Sequence, residues 1–129
     1  MYGYGTVFKL TPNPDGSWSE SVLYSFRGGS DASAPNSTLS FDTAGNLYGS
    51  AGGGAYGHGA VFKLTRSGDQ WTESVVYSFT GGLDGDTPSG GVILDNGGNL
   101  YGTTQYGGAY PNCHDGPPFC GGVAYEITP

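Results

Sequence analysis

The sequence repeats itself in register within 129 residues, and a chain that does so is committed to a fold built from like units. Trp18-Ser19-Glu20-Ser21-Val22-Leu23-Tyr24-Ser25-Phe26 returns as Trp71-Thr72-Glu73-Ser74-Val75-Val76-Tyr77-Ser78-Phe79, 53 positions on. Asp42-Thr43-Ala44-Gly45-Asn46-Leu47-Tyr48-Gly49 returns at the same offset as Asp95-Asn96-Gly97-Gly98-Asn99-Leu100-Tyr101-Gly102. Thr6-Val7-Phe8-Lys9-Leu10-Thr11 recurs as Ala60 to Thr65 and, more loosely, as Val123 to Thr128. The last interval is longer because it holds an insertion bounded by Cys113 and Cys120.

Each unit reads as four short strands. Leu39 to Asp42 and Asn46 to Ser50 flank Thr43-Ala44-Gly45, where glycine can take the left-handed backbone that closes a tight hairpin. Val61 to Thr65 follows across the Gly-rich stretch from Gly52 to Gly59, and Arg66-Ser67-Gly68-Asp69 turns the chain into Trp71 to Phe79. Val75, Tyr77 and Phe79 alternate with Ser74, Val76 and Ser78, so one face of this strand is expected to be the richer. The chain leaves through Gly81 to Pro88 towards the next first strand, and no window carries a helical period. Four-stranded antiparallel meanders in series predict an all-β chain of β-propeller blades, about two per chain.

Known repeats resemble these runs. Gly90 to Tyr101 is similar to the inner hairpin of NHL-type propeller repeats. Gly45-Asn46-Leu47-Tyr48-Gly49, the Gly-rich turn after it and Gly59-Ala60-Val61-Phe62-Lys63-Leu64 resemble the GloVer tandem repeat of secreted bacterial proteins. That resemblance spans nearly the whole chain. It implies an array that is extracellular or at the cell surface, and it brings no catalytic motif. The Cys113 to Cys120 insertion departs from the plain repeat.

Divided at these signals, 1–36 holds the third and fourth strands of a partial blade, 37–88 a complete blade, and 89–129 the first to third strands of another. Two blades cannot close a ring, and the unpaired edges invite another chain. The expected partner is a second copy, whose matching strands complete the blades in a homo-oligomeric ring or an open filament. One of the third strands is then surplus: it is displaced, adds a fifth strand, or pairs elsewhere.

Composition agrees with turns and thin cores. Gly and Pro number 26 and 8, which excludes an ordinary helical protein, and only 15 residues are charged against 18 aromatics. The net charge of −7 repels phosphate backbones and anionic headgroups, so neither nucleic acid nor membrane insertion is expected. Cys113 and Cys120 enclose a turn-forming hexapeptide, and a local disulfide is the first reading. Zinc held with His114, or two free thiols, are the alternatives.

No GxSxG, HExxH, P-loop or dinucleotide fingerprint occurs, so an enzyme is not expected and no cofactor is implied. Asp84 and Asp86 stand close in one loop, as paired carboxylates of a glycosidase would, but the equivalent loop offers Asp31 and then Ser33. Asp42 and Asp95 precede the tight turns, where capping takes precedence over calcium. His58 and His114 fall in corresponding loops, where a shared metal is the sharper reading and unliganded histidines the plainer one. Trp18 and Trp71 begin outer strands and either cover a sheet edge or stack on sugar rings. Tyr56, Tyr106 and Tyr110 sit among glycines, where a ring suits contact with a glycan or protein. The leading expectation is a noncatalytic scaffold or adhesive module that associates with itself. The alternative is a lectin-like propeller using Tyr56, Tyr106, Tyr110, Trp18, Trp71, Asp31, Asp84 and Asp86.

Overall fold

Turn-forming aspartates and glycines cut the chain into extended segments too short for anything but hairpins, and the computed structural model, which describes residues 3–109 and 121–129, is all-β. In chain order the strands are β1 (Thr6–Pro12), β2 (Trp18–Ser25), β3 (Ser40–Phe41), β4 (Leu47–Ala51), β5 (Ala60–Ser67), β6 (Gln70–Ser78), β7 (Asp86–Leu94), β8 (Leu100–Tyr106) and β9 (Ala124–Ile127). One 3-10 turn, Gly29–Asp31, interrupts them. They form three open antiparallel sheets, ordered β1-β2, β3-β4-β5-β6 and β7-β8-β9.

The hairpin turns explain one recurring motif. Asp42 Oδ1 accepts the backbone N–H groups of Ala44 and Asn46, each at 2.9 Å, while Oδ2 accepts Asn46 Nδ2 at 2.7 Å and the Tyr48 hydroxyl at 3.2 Å. Asp95 repeats this with Gly97, Asn99 and Tyr101 at 2.8, 2.9, 2.7 and 3.2 Å. Both aspartates are therefore filled by their own turns, as capping requires. Drawing Asp42 into the turn also shortens the strand before it. Of the expected Leu39 to Asp42, Ser40 and Phe41 alone are in the ladder.

The C-terminal strand β9 pairs with β8 in its own chain, Leu100 opposite Ile127 and Gly102 opposite Tyr125. The same places in the middle sheet are Leu47 opposite Leu64 and Gly49 opposite Phe62. Glycine recurs there because the ring across the ladder lies over it. A Cβ at Gly49 would stand 2.7 Å from Phe62 Cζ and 2.8 Å from Leu39 Cδ2.

One expectation of alternation fails. The β5–β6 register shifts between Val61 and Phe62, opposite Tyr77 and Val75, so Val76 is an extra residue in a bulge. Its effect is to switch faces: Trp71 and Val75 pack against the core shared with the first sheet, and Phe79 joins the core shared with the third. The same shift at Val7 and Phe8 recurs in β1–β2.

Two cores result. The first holds Val7, Phe26, Ala32, Leu47, Ala51, Ala60, Phe62 and Leu64, and the second Val61, Phe79, Val92 and Leu100. Adjacent residues Val61 and Phe62 thus serve opposite cores, as the two faces of a strand must. At each junction a terminal Phe meets the next sheet edge-on: Phe26 to Phe62 at 5.1 Å and Phe79 to Tyr125 at 5.0 Å between ring centroids. Pro88, expected before the first strand of the third sheet, lies inside β7, an edge strand that tolerates a missing N–H.

Candidate functional site

The junction between the first and middle sheets carries a polar cleft of about 680 Å³, lined by Tyr24 and Arg27, by Asp31 at the end of the 3-10 turn, and by Trp71, Glu73 and Val75 of β6. Spacing of two along β6 puts its three residues on one face. The loop after β2 is closed by Asp31, whose Oδ1 accepts the Tyr24 hydroxyl at 2.8 Å and whose Oδ2 accepts the Arg27 N–H at 2.6 Å. The loop after β6 repeats the device: Asp84 Oδ2 accepts the Tyr77 hydroxyl at 3.0 Å and the Thr80 N–H at 2.9 Å.

Glu73 changes the chemistry of this cleft. Its Oε1 is buried and has no hydrogen-bond partner. Burial, then the hydrogen bond and negative charge of Asp31, push the Glu73 carboxyl up to about 7, so it holds a proton across the mildly acidic range. Burial and the Asp31 carboxylate likewise push the Tyr24 hydroxyl up to about 12. Glu73, Asp31 and the Trp71 indole thus bring polar groups and an apolar platform together in a single cleft. On its other side Trp71 lines an apolar groove of about 610 Å³ with Phe8, Leu23, Leu39, Phe41 and Leu47.

Comparison with protein families matches residues 1–129 to the Gloeobacter/Verrucomicrobia repeat. The chain belongs to that repeat family. Searches of curated proteins and of solved structures return no match.

In this Gloeobacter/Verrucomicrobia repeat chain the residues singled out from sequence separate into several places. Trp71 and Asp31 meet in the polar cleft, whereas Trp18, at the start of β2, is exposed. Asp84 and Asp86, close in the sequence, are held by different neighbours: Asp84 by Tyr77 and Thr80, Asp86 by His58 and Thr87. Asp86 is the first residue of β7 rather than a loop acid. It is 7% exposed, meets His58 Nδ1 at 2.9 Å and accepts the Thr87 hydroxyl at 2.8 Å. The His58 ring lies against Gly81, as the Tyr4 ring lies against Gly28 one unit earlier. Among the described residues no three His, Cys, Asp or Glu side chains are grouped as metal ligands.

Tyr56 is exposed in its Gly-rich loop. Tyr106, expected in such a loop, is instead the last residue of β8, half-buried and opposite Asp86, with its hydroxyl accepting from Gln105 Nε2. The pairing of β8 with β7 extends that far because β7 starts early. Tyr110, Cys113, His114 and Cys120 lie outside the described residues. Sequence reasoning passed over Glu73, Tyr24 and Arg27. The signal for Glu73 was present in the recurring Trp-x-Glu, which places the acid on the same face as the indole.

Proposed function

We propose that this chain is a noncatalytic β-propeller-type repeat module, extracellular or at a cell surface, that associates with copies of itself through its incomplete end sheets and serves as a scaffold or adhesive surface. One contrast carries the reading. Phe62 and Leu64 of the middle sheet are fully buried, while their repeat equivalents Phe8 and Leu10 in the first sheet are 52% and 49% exposed. Val22 beside them is exposed as well. Identical side chains that are core in one unit and surface in the next mark a face that lacks its neighbour. The two open ends differ, so contact between copies is head-to-tail, closing into a ring or running into a filament.

Light scattering over a range of concentrations, with and without reductant, tests the reading. Species larger than the 13.2 kDa chain are expected, and Phe8→Asp is expected to shift them towards monomer. A chain that stays monomeric at the highest concentration would overturn it.

A second reading has its own observation, the placement of Trp71 beside Asp31 and Glu73 in one cleft. It makes the module a binder of neutral carbohydrate, with the ring as platform and the acids as hydrogen-bond partners. Binding on a glycan array that is lost in Trp71→Ala while assembly persists is the expected result; a blank array removes this reading.

A further inference from the structure

Given self-association at the end sheets, we infer that the β1–β2 hairpin of a second copy takes the third and fourth positions of the β7–β8 sheet and displaces β9. The middle sheet shows what a filled sheet of this family looks like, and β9 fills its place poorly. It has four residues where β5 has eight, and no outer strand pairs with it among the described residues. Where β5 presents Phe62, β9 presents Tyr125, whose hydroxyl is driven against Gly102 and is buried with no hydrogen-bond partner. An orphaned buried hydroxyl is a standing cost to the strand that carries it.

The β1–β2 hairpin has what β9 lacks. β1 is seven residues long, already carries β2 as its outer strand, and pairs with no strand at its other edge among the described residues. Phe8 and Leu10 stand in the repeat where Phe62 and Leu64 stand, and both are exposed. In the register of the middle sheet, Leu10 falls opposite Leu100 and Phe8 opposite Gly102, a phenyl ring over glycine with no hydroxyl to satisfy. Phe8 then meets Phe79 as Phe62 meets Phe26. The incoming β2 brings Trp18 and Glu20 towards Asp84 and Tyr77, repeating the placement of Trp71 and Glu73 beside Asp31 and Tyr24. Each exchange therefore assembles a second Trp-Glu-Asp cleft from two copies, neither of which holds it alone.

The test is cross-linking with a short bis-maleimide in a Cys113→Ser, Cys120→Ser background. Chains carrying Glu20→Cys are mixed with chains carrying Asp84→Cys, and Asp31→Cys with Glu73→Cys in one chain calibrates the reach. A covalent dimer in the mixture, absent from either variant alone, is expected. If the calibrating pair links within the chain and light scattering finds oligomers, yet the mixture gives no dimer, the exchange is overturned while self-association stands; a monomer overturns both. Tyr125→Phe supplies a second readout that needs no cross-link. Relieving the β9 hydroxyl makes that strand harder to displace, so self-association should weaken about fivefold. Association that is unchanged or tighter in Tyr125→Phe would contradict displacement of β9.

Discussion

Phe62 and Phe8 hold the same place in the repeat, on third strands whose neighbouring sequence is nearly the same, yet one is sealed in a core and the other faces solvent. The difference lies in what stacks on them. Phe62 has Phe26 of the preceding sheet 5.1 Å away and Leu39 beside it across Gly49, whereas among the described residues no aromatic ring packs on Phe8. In a stacked repeat, burial belongs to the junction rather than to the strand.

The largest effect that could break this comparison is on the two phenylalanines themselves. Phe62→Ala should cost about 3–5 kcal/mol of unfolding free energy and Phe8→Ala less than about 1 kcal/mol, read from denaturant titrations of dilute monomer. Equal losses would mean that the first sheet is as well covered as the middle one. Next in size is Gly49→Val, whose methyl groups meet the Phe62 ring and Leu39; about 2–3 kcal/mol should be lost. Gly16→Val, with open space at the β1–β2 turn, should lose less and entirely through its positive φ.

A smaller effect sharpens the view of the cleft. Because folding raises the Glu73 carboxyl from its ordinary 4.5 to about 7, the stability it contributes is complete below about 4.5 and is lost as pH climbs through 7. Asp84 runs the other way. Burial raises it, but hydrogen bonds from Thr80 and Tyr77 hold it below its ordinary value, so its contribution is lost only as pH falls below about 4. Thermal melts should therefore peak near pH 5 and decline towards pH 8. Glu73→Gln should flatten the decline by about 1 kcal/mol, solvent screening at a half-exposed group having reduced the full shift. The smallest expected change is in Tyr125→Phe, which should stabilise the monomer by about 1 kcal/mol, since the lost hydroxyl has no partner.

The strand count and the hairpin turns were legible because the repeat states each signal twice: Asp42-x-x-Gly-Asn and Asp95-x-x-Gly-Asn show their turn chemistry in the letters themselves. The bulge at Val76 was not, because valine suits a paired or an extra position equally and the alternation around it looks unbroken. Asp86 was misplaced because its partner His58 lies 28 residues away, outside any local window. The polar cleft was half legible. Trp71 and Asp31 were singled out separately, but only the stacking of β2 against β6 brings Glu73 to Asp31, and no periodicity within one strand encodes the spacing of two sheets.

In the middle sheet β3, β4, β5 and β6 are neighbours in space in the order in which they occur in the chain, and the first and third sheets follow the same rule. Among the described residues no strand passes over another. A gene for such a chain can gain or lose one 53-residue period by recombination between like segments without re-threading anything, because each new sheet meets only the one before and the one after. Length is then free to drift while each junction is kept, and an array of these units can be tuned in reach one sheet at a time.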